Sequence, residues 1–289
     1  MTRGPAEFAL GNLPVVRRRR WGRWLAASLL LAFLAWIAWS FAHGQIHWPT
    51  VGQFFTAPAI LRGLSNTVIM AFWAMVAGIV LGTVFAVMYL SPNPVLRGAA
   101  LFYIWFFRGT PLLLQLLIWF NLALVFPVIG MPGLIEFRTV DVVTPFVATL
   151  LGLGMNQGAY TAEVVRAGIL SVDRGQVEAA QSIGMTRLTT LRRIVLPQAM
   201  RVIIPPVGNE AVSMVKLTSV ASVIQYAEIL RNAQTIYYAN ARTIELLIVA
   251  AIWYLAVVTV LQVGQHFLEK HFSRGFGQRA APKAAGDVR

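Results

Sequence analysis

From Gly63 to Leu96 the chain carries no charged side chain. A helix that crosses the hydrocarbon of a bilayer needs about 20 consecutive, mostly apolar residues, and this run exceeds that length. Its helix is expected to end before Ser91-Pro92-Asn93-Pro94, where two prolines forbid continuation. Further runs of similar character follow. Leu25 to Ala42 is uncharged, Gly98 to Phe126 is broken near Arg108-Gly109-Thr110-Pro111, and Val142 to Leu170 and Leu246 to Leu268 are mostly apolar. A weaker run, Val202 to Gln225, is interrupted by Pro205-Pro206, Glu210 and Lys216. The expected fold class is therefore all-α, a polytopic transmembrane helical bundle of about six spans.

Composition agrees. The 289 residues are 57% hydrophobic and only 12% charged, against roughly 25% charged in soluble domains. A net charge of +13 would fit nucleic acid only if it formed a basic face on a soluble domain. Here the arginines sit between apolar spans, so no nucleic-acid partner is expected. They set topology instead, since cytoplasmic loops carry the excess of Lys and Arg. With the N-terminus inside, eighteen of the 24 basic residues are cytoplasmic and four are external (Arg62, Arg138, Arg231, Arg242). Arg108 and Lys216 lie within spans. Both termini are expected in the cytoplasm. The first run is longer than the ~7–15 apolar residues of a signal peptide and is read as a retained extra span. With no cysteine, neither a disulfide framework nor a thiolate metal site is possible. The four histidines, at span ends, read as interfacial residues, as do Trp21, Trp24 and Trp48. Gly78, Gly82, Gly152, Gly154 and Gly158 read as close helix contacts.

The polar stretch Gly175 to Pro197 is more than a connector. Asp173 followed by Gln176 fits a capping box, so a helix is expected to start there. Glu178-Ala179-Ala180 and Ser182 give a small-residue surface, and Gly184 interrupts. Leu188, Leu191 and Val195 are expected on one face of a second helix that Pro197 ends or kinks. The plain reading of such a segment is an amphipathic helix lying on lipid. The combination of Glu178, Ala179, Ala180, Gly184, Leu196 and Pro197 instead resembles the EAA motif of ABC importer membrane subunits. Three further segments narrow the resemblance to the polar amino acid uptake group: Phe107-Arg108-Gly109-Thr110-Pro111-Leu112-Leu113, Asn156-Gln157-Gly158-Ala159-Tyr160-Thr161-Ala162-Glu163, and Pro205-Pro206-Val207-Gly208-Asn209-Glu210.

The resemblance implies a type I importer transmembrane domain over residues 63–268, with a coupling loop at 171–197. It is flanked by a basic N-terminal tail (1–24), the extra helix (25–42) and a cytoplasmic tail (269–289). It also implies a second permease subunit, identical or homologous, a cytoplasmic ABC ATPase dimer, an external solute-binding protein, a polar amino acid substrate and a place in the bacterial inner membrane. No phosphate-binding Gly-x-x-x-x-Gly-Lys-Ser/Thr loop occurs in the chain. ATP and Mg are accordingly expected on the partner, no cofactor on this chain, and no enzymatic activity of its own. The basic ends are expected to engage anionic membrane lipid.

Ionisable residues inside spans usually face the protein interior or a pathway. The candidates are Arg108, Glu163, Glu210 and Lys216. Arg108 stands beside a helix break whose exposed backbone could face a cavity. Glu163 and Arg166 can meet on one helix face. Lys216 with the hydroxyls of Thr218 and Ser219 is expected to serve an amino acid's carboxylate, and Glu163 or Glu210 its ammonium. The family commonly places an acidic or polar residue between that lysine and the Thr/Ser. Leu217 is apolar here, which weighs against a cationic substrate such as arginine. A membrane enzyme would need catalytic carboxylate pairs, a metal cluster or an activated serine, and none is seen. A stand-alone secondary transporter or channel would need its own coupling-ion site and typically an inverted repeat, and it leaves the EAA-like loop unexplained.

Overall fold

Apolar runs and helix starts coincide in the computed structural model, which describes residues 21–131 and 135–272. The chain divides into two units, residues 1–47 and 48–289. The first contains helix α1 (Trp21–His43), 23 residues long, with a mean hydropathy of 2.0. At 1.5 Å rise per residue it is long enough to cross a bilayer. The cationic stretch Arg17–Arg20 and the tail beyond Phe272 lie outside the described residues.

The second unit begins with α2 (Trp48–Phe55), α3 (Pro58–Tyr89), α4 (Pro94–Gly109) and α5 (Leu112–Phe120). An antiparallel hairpin follows, β1 (Val128–Met131) against β2 (Ile135–Arg138), with Val128 opposite Arg138. Then come α6 (Thr139–Val142), α7 (Pro145–Leu170), α8 (Arg174–Ser182), α9 (Arg187–Thr190), α10 (Leu196–Leu217), α11 (Ile229–Asn240) and α12 (Thr243–Phe272). Pro58, Pro94 and Pro145 each open a helix, a position where the missing N–H leaves no bond unmade. Asn93 caps α4 through Val95 N at 2.9 Å, and α3 stops at Tyr89, as the proline pair requires.

Among the described residues three helices, α1, α3 and α12, are each long and apolar enough to span a membrane. Helices α4 and α5 qualify only as a pair and are bent by 102° at their junction. The expected third span is therefore an elbow, not a rod. The expected fourth and fifth spans fall on α7 and α10, with 26 and 22 residues. Both are long enough but less apolar than the other three, because they carry Glu163, Arg166, Arg201, Glu210 and Lys216.

Between apolar helices in lipid there is no hydrophobic driving force, so association rests on close packing and polar contacts. Helices α3 and α7 approach through glycine. A Cβ at Gly78 would lie 2.5 Å from Gln157 Cγ, and one at Gly82 would lie 2.6 Å from Thr161 Cβ. Gly208 allows the same approach between α10 and α12, where a Cβ would fall 1.8 Å from Gln265 Oε1. Two apolar clusters surround these contacts. One joins Met70, Leu116, Leu153 and Met214, and the other joins Ala86, Tyr103, Ala162, Ala199 and Ile203.

Glu228 anchors the segment after α10. It is fully buried and caps α11, accepting from Leu230 N at 2.8 Å and Arg231 N at 2.6 Å. The Tyr254 hydroxyl also donates to it. Burial is the largest influence on its carboxyl and lifts it above the usual carboxylate range, while these three donors pull the other way. Each buried polar group left unsatisfied costs roughly 1–3 kcal/mol. Glu228→Ala strands three donors and should destabilise the protein by about 3 kcal/mol or more. Glu228→Gln keeps an acceptor and should cost distinctly less. Thermal unfolding of both variants in detergent checks the difference.

Candidate functional site

The elbow between α4 and α5 follows from Pro111. Proline has no amide hydrogen, so the Phe107 carbonyl four residues earlier loses its helical donor. Two side chains replace it: Gln115 Nε2 at 3.0 Å and Asn156 Nδ2 at 2.9 Å. Gln115 Nε2 also reaches Thr110 O at 3.1 Å and Thr110 Oγ1 at 2.7 Å. The break thereby holds Arg108, Gly109 and Thr110 against the middle of α7.

A cavity of about 590 Å³ opens at this point, within the ~300–1,000 Å³ range of small-molecule sites. Arg108 and Thr110 from the elbow, Asn156, Gln157 and Tyr160 from α7, and Glu210 from α10 line it. All three motif segments around the span interior thus converge on one space. Arg108 Nη1 lies 3.8 Å from Glu163 Oε1, and its guanidinium carbon is 5.2 Å from the centre of the Tyr160 ring. Glu210 Oε2 accepts from Gln157 Nε2 at 2.6 Å and from Thr161 Oγ1 at 3.2 Å. It forms no ion pair among the described residues. The cavity therefore presents one cation and one carboxylate that do not neutralise each other.

The remaining pathway candidates lie elsewhere. Glu163 Oε2 accepts from Arg166 Nη2 at 2.7 Å and Nε at 3.1 Å, the i,i+3 pair that the spacing predicts, and it is not part of the cavity wall. Lys216 is exposed and also off that wall, whereas its neighbour Leu217 is on it. Thr218 is fully buried, and its hydroxyl donates to Val215 O at 2.7 Å; Ser219 donates to Lys216 O at 2.7 Å. Lys216, Thr218 and Ser219, expected to serve a carboxylate together, are thus not on the wall of this cavity. At a helix C-terminus the last carbonyls lack donors, and these hydroxyls supply them. Gln115 and Gln157 were not singled out as site residues from the sequence. A lone glutamine within Leu112–Phe120 was the available signal for the first.

The loop after α7 is built from local rules. Asp173 does start α8, but its carboxylate takes Gly175 N at 2.7 Å instead of the amide of Gln176. At the other end Met185 N bonds Ala180 O at 3.0 Å and Gly184 N bonds Gln181 O at 2.9 Å, the Schellman arrangement. Gly184 sits at φ +81°, a left-handed conformation open mainly to glycine. Glu178 and Ala179 are exposed, whereas Ala180 is 4% exposed. The second helix departs from expectation. After α9, whose cap is Thr186, Leu191–Val195 forms a π-helical turn in which Leu196 N bonds Leu191 O. Pro197 neither ends nor breaks the helix; it lies in the first turn of α10. The π turn stands where the proline ring would otherwise meet the Arg193 carbonyl. Leu188 and Leu191 are exposed, whereas Val195 is buried.

Long apolar helices around a charged cavity, with a capped polar loop after α7, fit a membrane transport subunit. Comparison with known proteins makes the class specific. Residues 74–274 match the family described as Binding-protein-dependent transport system inner membrane component, and the chain belongs to that family. It is 39% identical over 280 residues to the arginine transport system permease protein ArgU of Corynebacterium glutamicum, covering 95% of this chain and 88% of that protein. It is 38% identical over 230 residues to the L-cystine transport system permease protein TcyB of Bacillus subtilis, covering 79% and 92%. Among solved structures, an amino acid ABC transporter with histidines is similar, with a TM-score of 0.65 and 34% identity over 74% of this chain and 94% of the other. The chain is an ABC-transporter permease subunit with the type I importer fold.

Proposed function

We propose that this subunit, with a second identical or homologous one, forms the path of an ATP-driven importer for a polar amino acid. An external binding protein delivers the substrate, and two cytoplasmic ATPases that hold ATP and Mg grip the chain at α8. The chain lies in the bacterial inner membrane with both termini inside. The family description and the names of the relatives support this reading, as does the bias of basic residues in the sequence.

The observation that carries the substrate assignment is the cavity with its separated charges. A zwitterion needs a donor for its carboxylate and an acceptor for its ammonium; Arg108 offers the first and Glu210 the second. Losing a hydrogen bond to a charged group costs about 1.5–3 kcal/mol. Glu210→Gln should therefore raise the KM for uptake in reconstituted vesicles by roughly tenfold to a hundredfold. Lys216→Met, off the cavity, should leave it near normal. Normal KM in Glu210→Gln would remove the cavity from the substrate path. The apolar Leu217 wall and the name of the C. glutamicum relative point in different directions on arginine. Competition of arginine against neutral polar amino acids in the same vesicles decides between them.

A further inference from the structure

A second cavity, of about 650 Å³, lies between the early turns of α10 and the last turns of α12. Arg201, His266 and Lys270 line it together with the apolar Val202 and Phe272. Neither Arg201 nor Lys270 forms an ion pair among the described residues. Glu269, the acid in the same wall, is already engaged: its Oε1 accepts from Gln265 Nε2 and Asn209 Nδ2, each at 3.0 Å. The groove thus carries two permanent cations outside any ion pair beside the single carboxylate of Glu269, which faces His266, and keeps an excess of positive charge.

Its depth matters as much as its charge. Arg201 stands five residues into α10, about 8 Å along the axis, and Lys270 is two residues from the end of α12. Both therefore sit near the ends of their helices, α10 being read here as a span and α12 being long and apolar enough to be one. Basic pockets between membrane helices near such ends suit phosphate headgroups. The apolar residues beside the cations favour a ligand with an acyl chain over a free ion.

We propose that this groove binds the headgroup of an anionic phospholipid, its phosphate between Arg201 and Lys270 and its chain along Val202 and Phe272. The site is separate from the transport cavity and independent of what is transported.

The test uses the full-length chain in the complex with which it purifies. That complex is placed in nanodiscs of phosphatidylcholine with a minor share of phosphatidylglycerol, and lipids retained after extraction are counted by native mass spectrometry. Wild-type protein should retain phosphatidylglycerol above its bilayer share. The Arg201→Gln/Lys270→Gln double variant should lose that enrichment by roughly tenfold, with phosphatidylcholine retention unchanged. The single variants should each lose part of it and serve if the double variant fails to fold. Arg62→Gln, away from the groove, should lose none. Retention in proportion to bilayer composition, or full enrichment in the neutralised variants, would overturn the proposal. So would displacement of the lipid by millimolar inorganic phosphate, which would mark a free-phosphate site.

Discussion

Leucine at Gly82 should largely eliminate folded protein from the membrane. A Cβ there would lie 2.6 Å from Thr161 Cβ and 2.9 Å from Ala162 N, so part of the obstacle is backbone that cannot rotate away. Overpacking a well-filled interface costs about 1–3 kcal/mol, and a full leucine against the α7 backbone should reach the upper end or exceed it. Lipid gives no compensating drive to hold the helices together. Gly98→Leu is the matched control, because no atom lies within 4 Å of a Cβ built there. Thermal unfolding and gel filtration in detergent should show a large loss for Gly82→Leu and little change for Gly98→Leu. Equal behaviour of the two would mean that α3 and α7 are not in close contact.

Arginine at Ala179 should stop transport without unfolding the subunit. Ala179 is exposed on α8, so the isolated chain tolerates a longer side chain. A partner seated on that surface does not, because an unpaired charge enters the contact. ATP-driven uptake in vesicles should fall by at least about tenfold, equivalent to about 1.4 kcal/mol of lost docking, while the unfolding temperature stays unchanged. Ala180→Arg should lower both uptake and stability, since Ala180 is packed against its own chain. A variant at Ala179 that transports normally would deny α8 its docking role.

Local signals in the chain proved readable where the physics is local. The proline pair Pro92 and Pro94 placed the end of α3, Asp173 marked the start of α8, and Gly184 its end. The glycines of α3 and α7 were legible as close contacts because small residues at helical spacing have few other uses in lipid. Relations between distant residues were not. Glu228 and Tyr254 are 26 positions apart, and Asn156 reaches a carbonyl 49 positions away; no pattern in one sequence announces such pairs. Lys216, Thr218 and Ser219 adjoin in sequence, which invited a single site. The end of α10 lies among them and turns the two hydroxyls to carbonyls. The π turn before Pro197 was likewise missed, since a proline stop and a proline joined through a widened turn have the same sequence signature.

The central claim is that α8 lies in the cytoplasm and is the surface the ATPase holds. The chain has no cysteine, so Ala179→Cys introduces a unique thiol at that surface. Thiol-directed cross-linking of the assembled complex in inside-out vesicles should join this residue to the ATPase, with ATP-driven uptake lost on cross-linking. Labelling of the same thiol by an impermeant reagent from the external face, with no ATPase adduct, would contradict the assignment.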